Sequence, residues 1–153
     1  MSFFRGPVHR RNDGTFALDL GDQERELLRT LVDQLRELLT TDSPALERLF
    51  PPPYGDDVDR NQGYAAVAHP ELIEHRLAAL DVVERSADAT VLDEDQLNAW
   101  MRSVNDLRLV LGTILEVTEG GEAPDVDPDS AATYAAYEYL GYLLDRIVHA
   151  LSD

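Results

Sequence analysis

The chain has 153 residues, of which 44% are hydrophobic, and this length and content predict one domain with a single core. Thirty acidic residues against 13 arginines give a formal net charge of -17, which disfavours binding to nucleic acid. The chain contains no cysteine, so its residues can form no disulfide, no thiolate metal site and no thiol switch. No apolar run is long enough to cross a bilayer, and we expect a cytoplasmic protein.

The first 20 residues predict a β-hairpin arm. The turn sequence Asn12-Asp13-Gly14 separates two segments that favour strands, and Asp-Gly is typical of hairpin turns because the turn needs a positive φ. Two strands alone are marginally stable, so the hairpin must pack on the rest of the chain. The arm also carries the chain's one basic cluster, which predicts either a contact with a polyanion or acidic partner or a merely solvated arm: Arg5, Arg10 and Arg11.

The segment 22–151 predicts a helical bundle. Apolar residues recur at the three- and four-residue spacing of amphipathic helices, and Ser43-Pro44 begins a short helix that Pro51-Pro52-Pro53 must end. The predicted helices cover residues 22–39, 43–50, 70–85, 93–117 and 129–151. Residues 54–63 predict either a loop or a helix start, and an acidic loop is expected at 116–129. The expected fold class is therefore mainly α: a single domain over 1–153 with four main helices, a short helix and an N-terminal β-hairpin.

Polar residues interrupt the most apolar predicted helix, between Leu97 and Leu115. Buried polar groups need partners, and two interpretations remain open. In the first, Arg108 pairs with an acid on a neighbouring helix and Asn105 bonds a loop backbone, as buried polar groups usually do. In the second, four residues line a cleft for a partner or ligand: Trp100, Asn105, Asp106 and Arg108.

Aromatic residues crowd the last predicted helix. Tyr134 and Tyr137 follow its apolar stripe and predict core positions. Tyr139 and Tyr142 lie off that stripe and predict a contact surface for a partner or a homodimer, because aromatic residues are enriched at interfaces.

No motif for catalysis, metal binding or phosphate binding is found. Glu71 and His75 share one helix face, but their spacing differs from that of carboxylate-bridged diiron sites and no second pair exists. There is no Gly-rich phosphate loop or nucleophile elbow. The sequence therefore predicts a protein that is not an enzyme and that holds no cofactor or metal.

The segment Trp100–Thr113 carries a resemblance to a known family. It reads W-M-R-S-V-N-D-L-R-L-V-L-G-T and resembles the actinobacterial oxidative-stress transcriptional regulator family AosR. Three further segments are similar to that family: the F-R-x-x-x-x-x-x-N-D-G start, S-P-A-L-E-R-L-F-P-P-P-Y-G-D-D at 43–57, and Y-E-Y-L-G-Y-L-L-D-R-I-V-H-A-L at 137–151. Together they extend over nearly the whole chain.

The resemblance implies a compact helical regulator with a proposed role in redox-responsive transcription. In that family the proposed switch is cysteine oxidation, which this chain cannot use. We therefore expect a non-catalytic regulator that acts by contacting a protein of the transcription machinery, and the sequence leaves direct DNA binding open. An adaptor or scaffold for the N-degron protease pathway is the alternative, implied by the family's usual gene neighbourhood.

Overall fold

The computed structural model describes residues 6–41, 43–51, 53–115 and 128–153, and within them the chain is mainly α, as predicted. The described helices are α1 (Asp22–Leu38), α2 (Val58–Arg85), α3 (Glu94–Ile114) and α4 (Pro128–Ser152), with a 3-10 helix at Pro44–Leu46. The described strands are β1 (Val8–Arg10), β2 (Phe16–Leu18) and β3 (Val91–Leu92), which form one antiparallel sheet in the order β1-β2-β3.

The hairpin of the N-terminal arm forms as predicted. Gly14 has φ +87°, in the left-handed region, and its N–H donates to the Arg11 carbonyl at 3.2 Å. The Arg11 N–H in turn donates to the Thr15 carbonyl at 2.7 Å, closing a three-residue loop that ends on a left-handed glycine. The register sets Val8 opposite Leu18, and both side chains are buried.

The third strand was not predicted from the sequence. β3 lies in the link between α2 and α3 and pairs with β2, with Leu92 opposite Phe16. The Leu18 N–H also donates to the Thr90 carbonyl at 2.8 Å. A two-residue strand is too short to show a period, so only its pairing with β2 identifies it. The hairpin is thereby joined to the helices by backbone hydrogen bonds.

Helix α2 begins at Val58, whereas the sequence predicted a helix from about Pro70 and left residues 54–63 open as a loop or a helix start. The Asp57 side chain accepts from the Arg60 N–H at 3.2 Å and caps the helix. Pro70 lies inside α2 and cannot donate to the carbonyl of Ala66, four residues earlier. Both residues are exposed, so that carbonyl can hydrogen-bond water and the helix continues.

Helix α3 forms the centre of the bundle and packs against α1, α2, α4 and the 3-10 helix. A reciprocal cap starts it: Asp93 Oδ1 accepts from the Gln96 N–H at 2.7 Å, and Gln96 Oε1 accepts from the Asp93 N–H at 2.9 Å. The apolar side chains that α3 buries are Leu97, Ala99, Trp100, Val104, Leu107, Val110 and Leu111. Residues 116–127 of the predicted acidic loop at 116–129 lie outside the described residues. Helix α4 begins at Pro128, one residue before the predicted start.

Candidate ligand and partner grooves

Trp100 lies in the core rather than in a cleft. Its side chain is fully buried, and its indole Nε1 donates to the Ser86 hydroxyl at 2.8 Å. Ser86 follows the last residue of α2, so this bond joins the end of α2 to α3. A buried tryptophan with a satisfied N–H contributes to packing and offers nothing to a ligand.

Asp106 is the buried charge of α3, and its partner is Arg76 of α2. Arg76 Nη1 lies 2.8 Å and 2.9 Å from the two carboxylate oxygens of Asp106. Arg76 Nη2 donates to the Leu49 carbonyl at 2.9 Å, and the guanidinium lies 5.3 Å from the centre of the Phe50 ring. One arginine therefore joins α2, α3 and the segment that follows the 3-10 helix.

Burial acts against the charge of Asp106. It raises the pKa of the Asp106 carboxyl above its ordinary value, and the neighbouring Arg76 partly lowers it again. Breaking this buried ion pair is costly, because removing one partner leaves the other charge buried and unpaired.

A groove between α2 and α3 opens beside this ion pair, with a volume of about 290 Å³. We name it the α2–α3 groove, and it is lined by Leu72, His75, Arg76, Ala79, Arg102, Asn105, Asp106 and Leu109. Of the four residues predicted to form a cleft, the structure brings Asn105 and Asp106 together here. Trp100 and Arg108 do not line it.

Arg108 faces α4 instead of an acid. Its guanidinium lies 5.0 Å from the centre of the Tyr137 ring, a cation–π contact. Its Nε would lie 3.3 Å from a Cβ built on Gly141, so the absence of a side chain there lets Arg108 cross α4. No acid among the described residues lies within ion-pair distance, and the predicted Arg108 ion pair is wrong. Asn105 likewise makes no hydrogen bond to the backbone of a loop within the described residues.

The two tyrosines predicted as a contact surface differ in their surroundings. Tyr142 is 53% exposed. Tyr139 packs against the core, and burial, followed by the negative charge of Glu24, raises its pKa well above the ordinary value. Of the two, Tyr142 is exposed and Tyr139 is half-buried.

The described arginines of the arm are held by contacts within the chain. Arg10 Nη2 donates to the Leu151 carbonyl at 3.2 Å, and its guanidinium lies 4.9 Å from the Phe16 ring centre. Arg11 is exposed, with Nη1 3.5 Å from the Thr15 hydroxyl. Arg5 lies outside the described residues. Arg10 therefore fastens the sheet to α4.

Arg25 is a buried structural residue that the sequence analysis did not identify. It is only 7% exposed, and its Nε donates to the Leu20 carbonyl at 3.1 Å. Nη1 donates to the carbonyls of Ala87 (2.6 Å) and Ala89 (2.8 Å), and Nη2 to that of Leu18 (3.3 Å). The available signal was its spacing, because Arg25 occupies a position of the buried stripe of α1 otherwise filled by Leu28, Val32 and Leu35.

A second groove lies between the segment that contains Pro51 and Pro53 and the first half of α2. It has a volume of about 260 Å³ and none of its described lining residues is Asp, Glu or Arg. We name it the apolar groove, and it is lined by Phe50, Pro51, Pro53, Val58, Asn61, Gln62, Tyr64, Ala65 and His69. Val58 is 62% exposed and Tyr64 is 39% exposed, although both are large apolar side chains.

The described residues contain no group of three His, Asp or Glu side chains that could hold a metal ion. Glu71 and His75 form an isolated contact of 3.8 Å on an exposed face of α2. Within the same residues, no helix has the length and apolar content needed to span a membrane.

The family of the chain follows from comparison with known sequences. A family model described as "Domain of unknown function (DUF2017)" matches residues 1–151. The chain belongs to this family. No solved structure matches it significantly.

Relatives of this DUF2017 protein carry a functional name. Proteins named "Oxidative stress regulator AosR" from Mycobacterium tuberculosis and Mycobacterium bovis are each 34% identical to it over 128 residues. These matches cover 71% of this chain and 58% of each relative, so the chain spans about three fifths of the length of these curated relatives. A relative from Mycobacterium leprae is 32% identical over 130 residues, covering 72% of this chain and 59% of the relative. The family resemblance inferred from the sequence is confirmed.

Proposed function

We propose that this chain is a non-catalytic regulator that acts by binding another protein and uses no thiol of its own. Relatives named as oxidative stress regulators support the regulatory role. The absence of cysteine from these 153 residues supports a mechanism in which any oxidant signal arrives through the partner.

The observation that carries the mode of action is the apolar groove. Val58 and Tyr64 are exposed to water there, in a groove whose described lining has no Asp, Glu or Arg. Covering such side chains with a partner's apolar atoms is favourable, at about 25 cal/mol for each Å² removed from water. The groove therefore suits an apolar side chain of a second protein.

The charge of the chain restricts which macromolecule approaches. A net charge of -17 repels phosphate backbones and attracts a partner with a basic surface. We assign that partner to the transcription machinery, as the family resemblance implies, with a basic surface around one apolar anchor residue.

The test measures binding of the purified chain to RNA polymerase holoenzyme from the organism that encodes it. Val58→Asp is expected to weaken binding at least about tenfold, because it would place an unpaired carboxylate in the contact. Val67→Asp is the matched control: Val67 is 81% exposed on the same helix, and nine residues place it on the opposite face. The control is expected to bind like the wild type.

Three results would overturn the proposal. The first is equal loss or equal retention of binding in the two variants. The second is a dimer of the chain that Val58→Asp alone dissociates, which would assign the groove to a second copy. The third is tight, sequence-specific DNA binding by the purified chain in a gel shift at moderate salt, which the acidic surface disfavours.

A further inference from the structure

The α2–α3 groove is separate from the apolar groove and has different chemistry. Its lining includes two arginines and one aspartate, which together carry a charge of +1 on a chain whose net charge is -17. We propose that this groove binds a carboxylate attached to a short aliphatic group.

Arg102 provides the first part of the argument. It is exposed on α3 and makes no hydrogen bond or ion pair with any residue that the structure describes. Asp106 stands one helical turn away, but its carboxylate already contacts Arg76. An arginine that contacts none of the described acidic side chains has its forked donors available to an external carboxylate.

Asn105 and His75 extend the set of donors around the opening. The Asn105 amide adds two N–H donors beside Arg102, and it has no hydrogen-bond partner among the described residues. His75 lines the groove from α2 and also lies 3.8 Å from Glu71, which is outside the lining. The donors therefore come from both helices and converge on one opening.

The charge balance selects a monoanion. Asp106 also lines the groove, and Arg76 offsets its negative charge. A phosphate dianion would meet that carboxylate with only one uncommitted arginine, and the groove has no Gly-rich backbone loop to add donors. A single carboxylate needs only the planar fork of Arg102 and one or two further N–H groups.

The apolar lining and the volume of the groove indicate which chemical group carries the carboxylate. Leu72, Ala79 and Leu109 supply apolar surface beside the donors. A volume of about 290 Å³ lies at the small end of ligand pockets, which excludes nucleotide-sized ligands. Two sources share this chemistry: a free branched-chain carboxylate, and the C-terminal carboxylate of a peptide that ends in an aliphatic residue.

The experiment is calorimetric titration of the full chain with isovalerate and with isovaleramide, which has the same shape and no charge. We expect a Kd on the order of 1 mM for isovalerate, given its few non-hydrogen atoms, and no measurable binding of the amide. A peptide ending in leucine is titrated with its terminus free and with it amidated. Tighter binding of the free terminus than of isovalerate assigns the site to a polypeptide end, and the reverse assigns it to a free carboxylate.

The decisive variant is Arg102→Met, which is expected to weaken carboxylate binding at least about tenfold. Arg102→Lys keeps the charge but not the fork and is expected to lie between the two. The control is Arg85→Met, because Arg85 is exposed on α2 outside the groove and pairs with Asp81 at 2.9 Å. Trp100 fluorescence checks that each variant is folded.

The proposal is overturned if the wild type binds neither carboxylate, if isovaleramide binds as well as isovalerate, or if inorganic phosphate binds more tightly. Equal affinities of Arg102→Met and Arg85→Met would also overturn it. These results are independent of the proposed regulatory contact, because Val58 lines the other groove.

Discussion

Replacing Arg25 with methionine is predicted to destabilise the protein more than replacing any exposed arginine. Methionine fills similar space but donates no hydrogen bond, so the change removes the donor from four carbonyls at 2.6–3.3 Å. Two of these belong to Ala87 and Ala89, in the link just beyond the end of α2.

The expected cost follows from those bonds. A hydrogen bond from a charged donor contributes about 1.5–3 kcal/mol. The two shortest bonds, to Ala87 and Ala89, account for most of the expected loss of stability. The loss of the two longer bonds is offset, because water can hydrogen-bond those carbonyls and because a charged group no longer has to be buried. We predict a net loss of about 3–4 kcal/mol in the free energy of unfolding. For a chain of this length, this corresponds to a fall in Tm of roughly 10 °C.

The assay is urea unfolding followed by the fluorescence of Trp100, the single tryptophan, which is fully buried in the native state. Arg102→Met is the control and is expected to change the free energy of unfolding by less than about 0.5 kcal/mol, because Arg102 is exposed and unbonded within the described chain. A loss below about 1 kcal/mol for Arg25→Met would refute the reasoning, since it would mean that the four carbonyls find water or other donors.

Three further predictions use the same unfolding assay. Gly14→Ala should cost about 1–2 kcal/mol, because Gly14 has φ +87°, and an unchanged midpoint would show that the loop adopts another conformation. Arg76→Met should cost about 3–5 kcal/mol at neutral pH, because it leaves Asp106 buried and unpaired. Because burial raises the pKa of Asp106, its carboxyl takes up a proton in the folded state at a higher pH than in the unfolded state. Part of the lost stability should therefore be recovered as the pH falls, and a loss that does not depend on pH contradicts this. The raised pKa of Tyr139 means that the unfolded state loses its phenolic proton first, near pH 10, so stability falls as the pH rises above that value. Tyr139→Phe should show a shallower alkaline decline, and curves of equal slope would exclude Tyr139 as its source.

The sequence was sufficient wherever a short segment carries its own signal. The cap at Asp93 and Gln96 starts α3 within four residues, and Gly14 closes the hairpin within three. The apolar stripe of α1 likewise predicted its bounds to within one residue at its C-terminal end. In each case the interacting groups are neighbours along the chain, so their spacing fixes the local geometry.

The first half of α2 shows where local signals mislead. Gly55 and the acids that follow it left residues 54–63 open as a loop or a helix start, and the helix was predicted only from about Pro70. The structure continues the helix through Gly63 and Pro70 because the Asp57 cap starts it and the face around Pro70 is exposed to water. The apolar groove depends on this extension, since Val58 and Tyr64 belong to it.

The candidate site could be predicted only in part. The residues Asn105 and Asp106 were identified because polar side chains in an apolar helix need partners. Which partner each one has depends on the packing of α3 against its neighbours: Asp106 meets Arg76 of α2, whereas Arg108 turns to Tyr137 of α4. A residue pair 30 positions apart has no fixed distance in the sequence, so the sequence could not identify Arg76 as the partner of Asp106.

The sequence by itself determined the mainly helical class, the hairpin turn, the absence of thiol chemistry and the family. These properties depend on composition or on contacts within a few residues. The tertiary structure decided which polar groups are buried together, how β3 joins the hairpin to the helices, and where the two grooves open. Those features arise from side chains and strands that are distant in the chain and meet only when the helices pack.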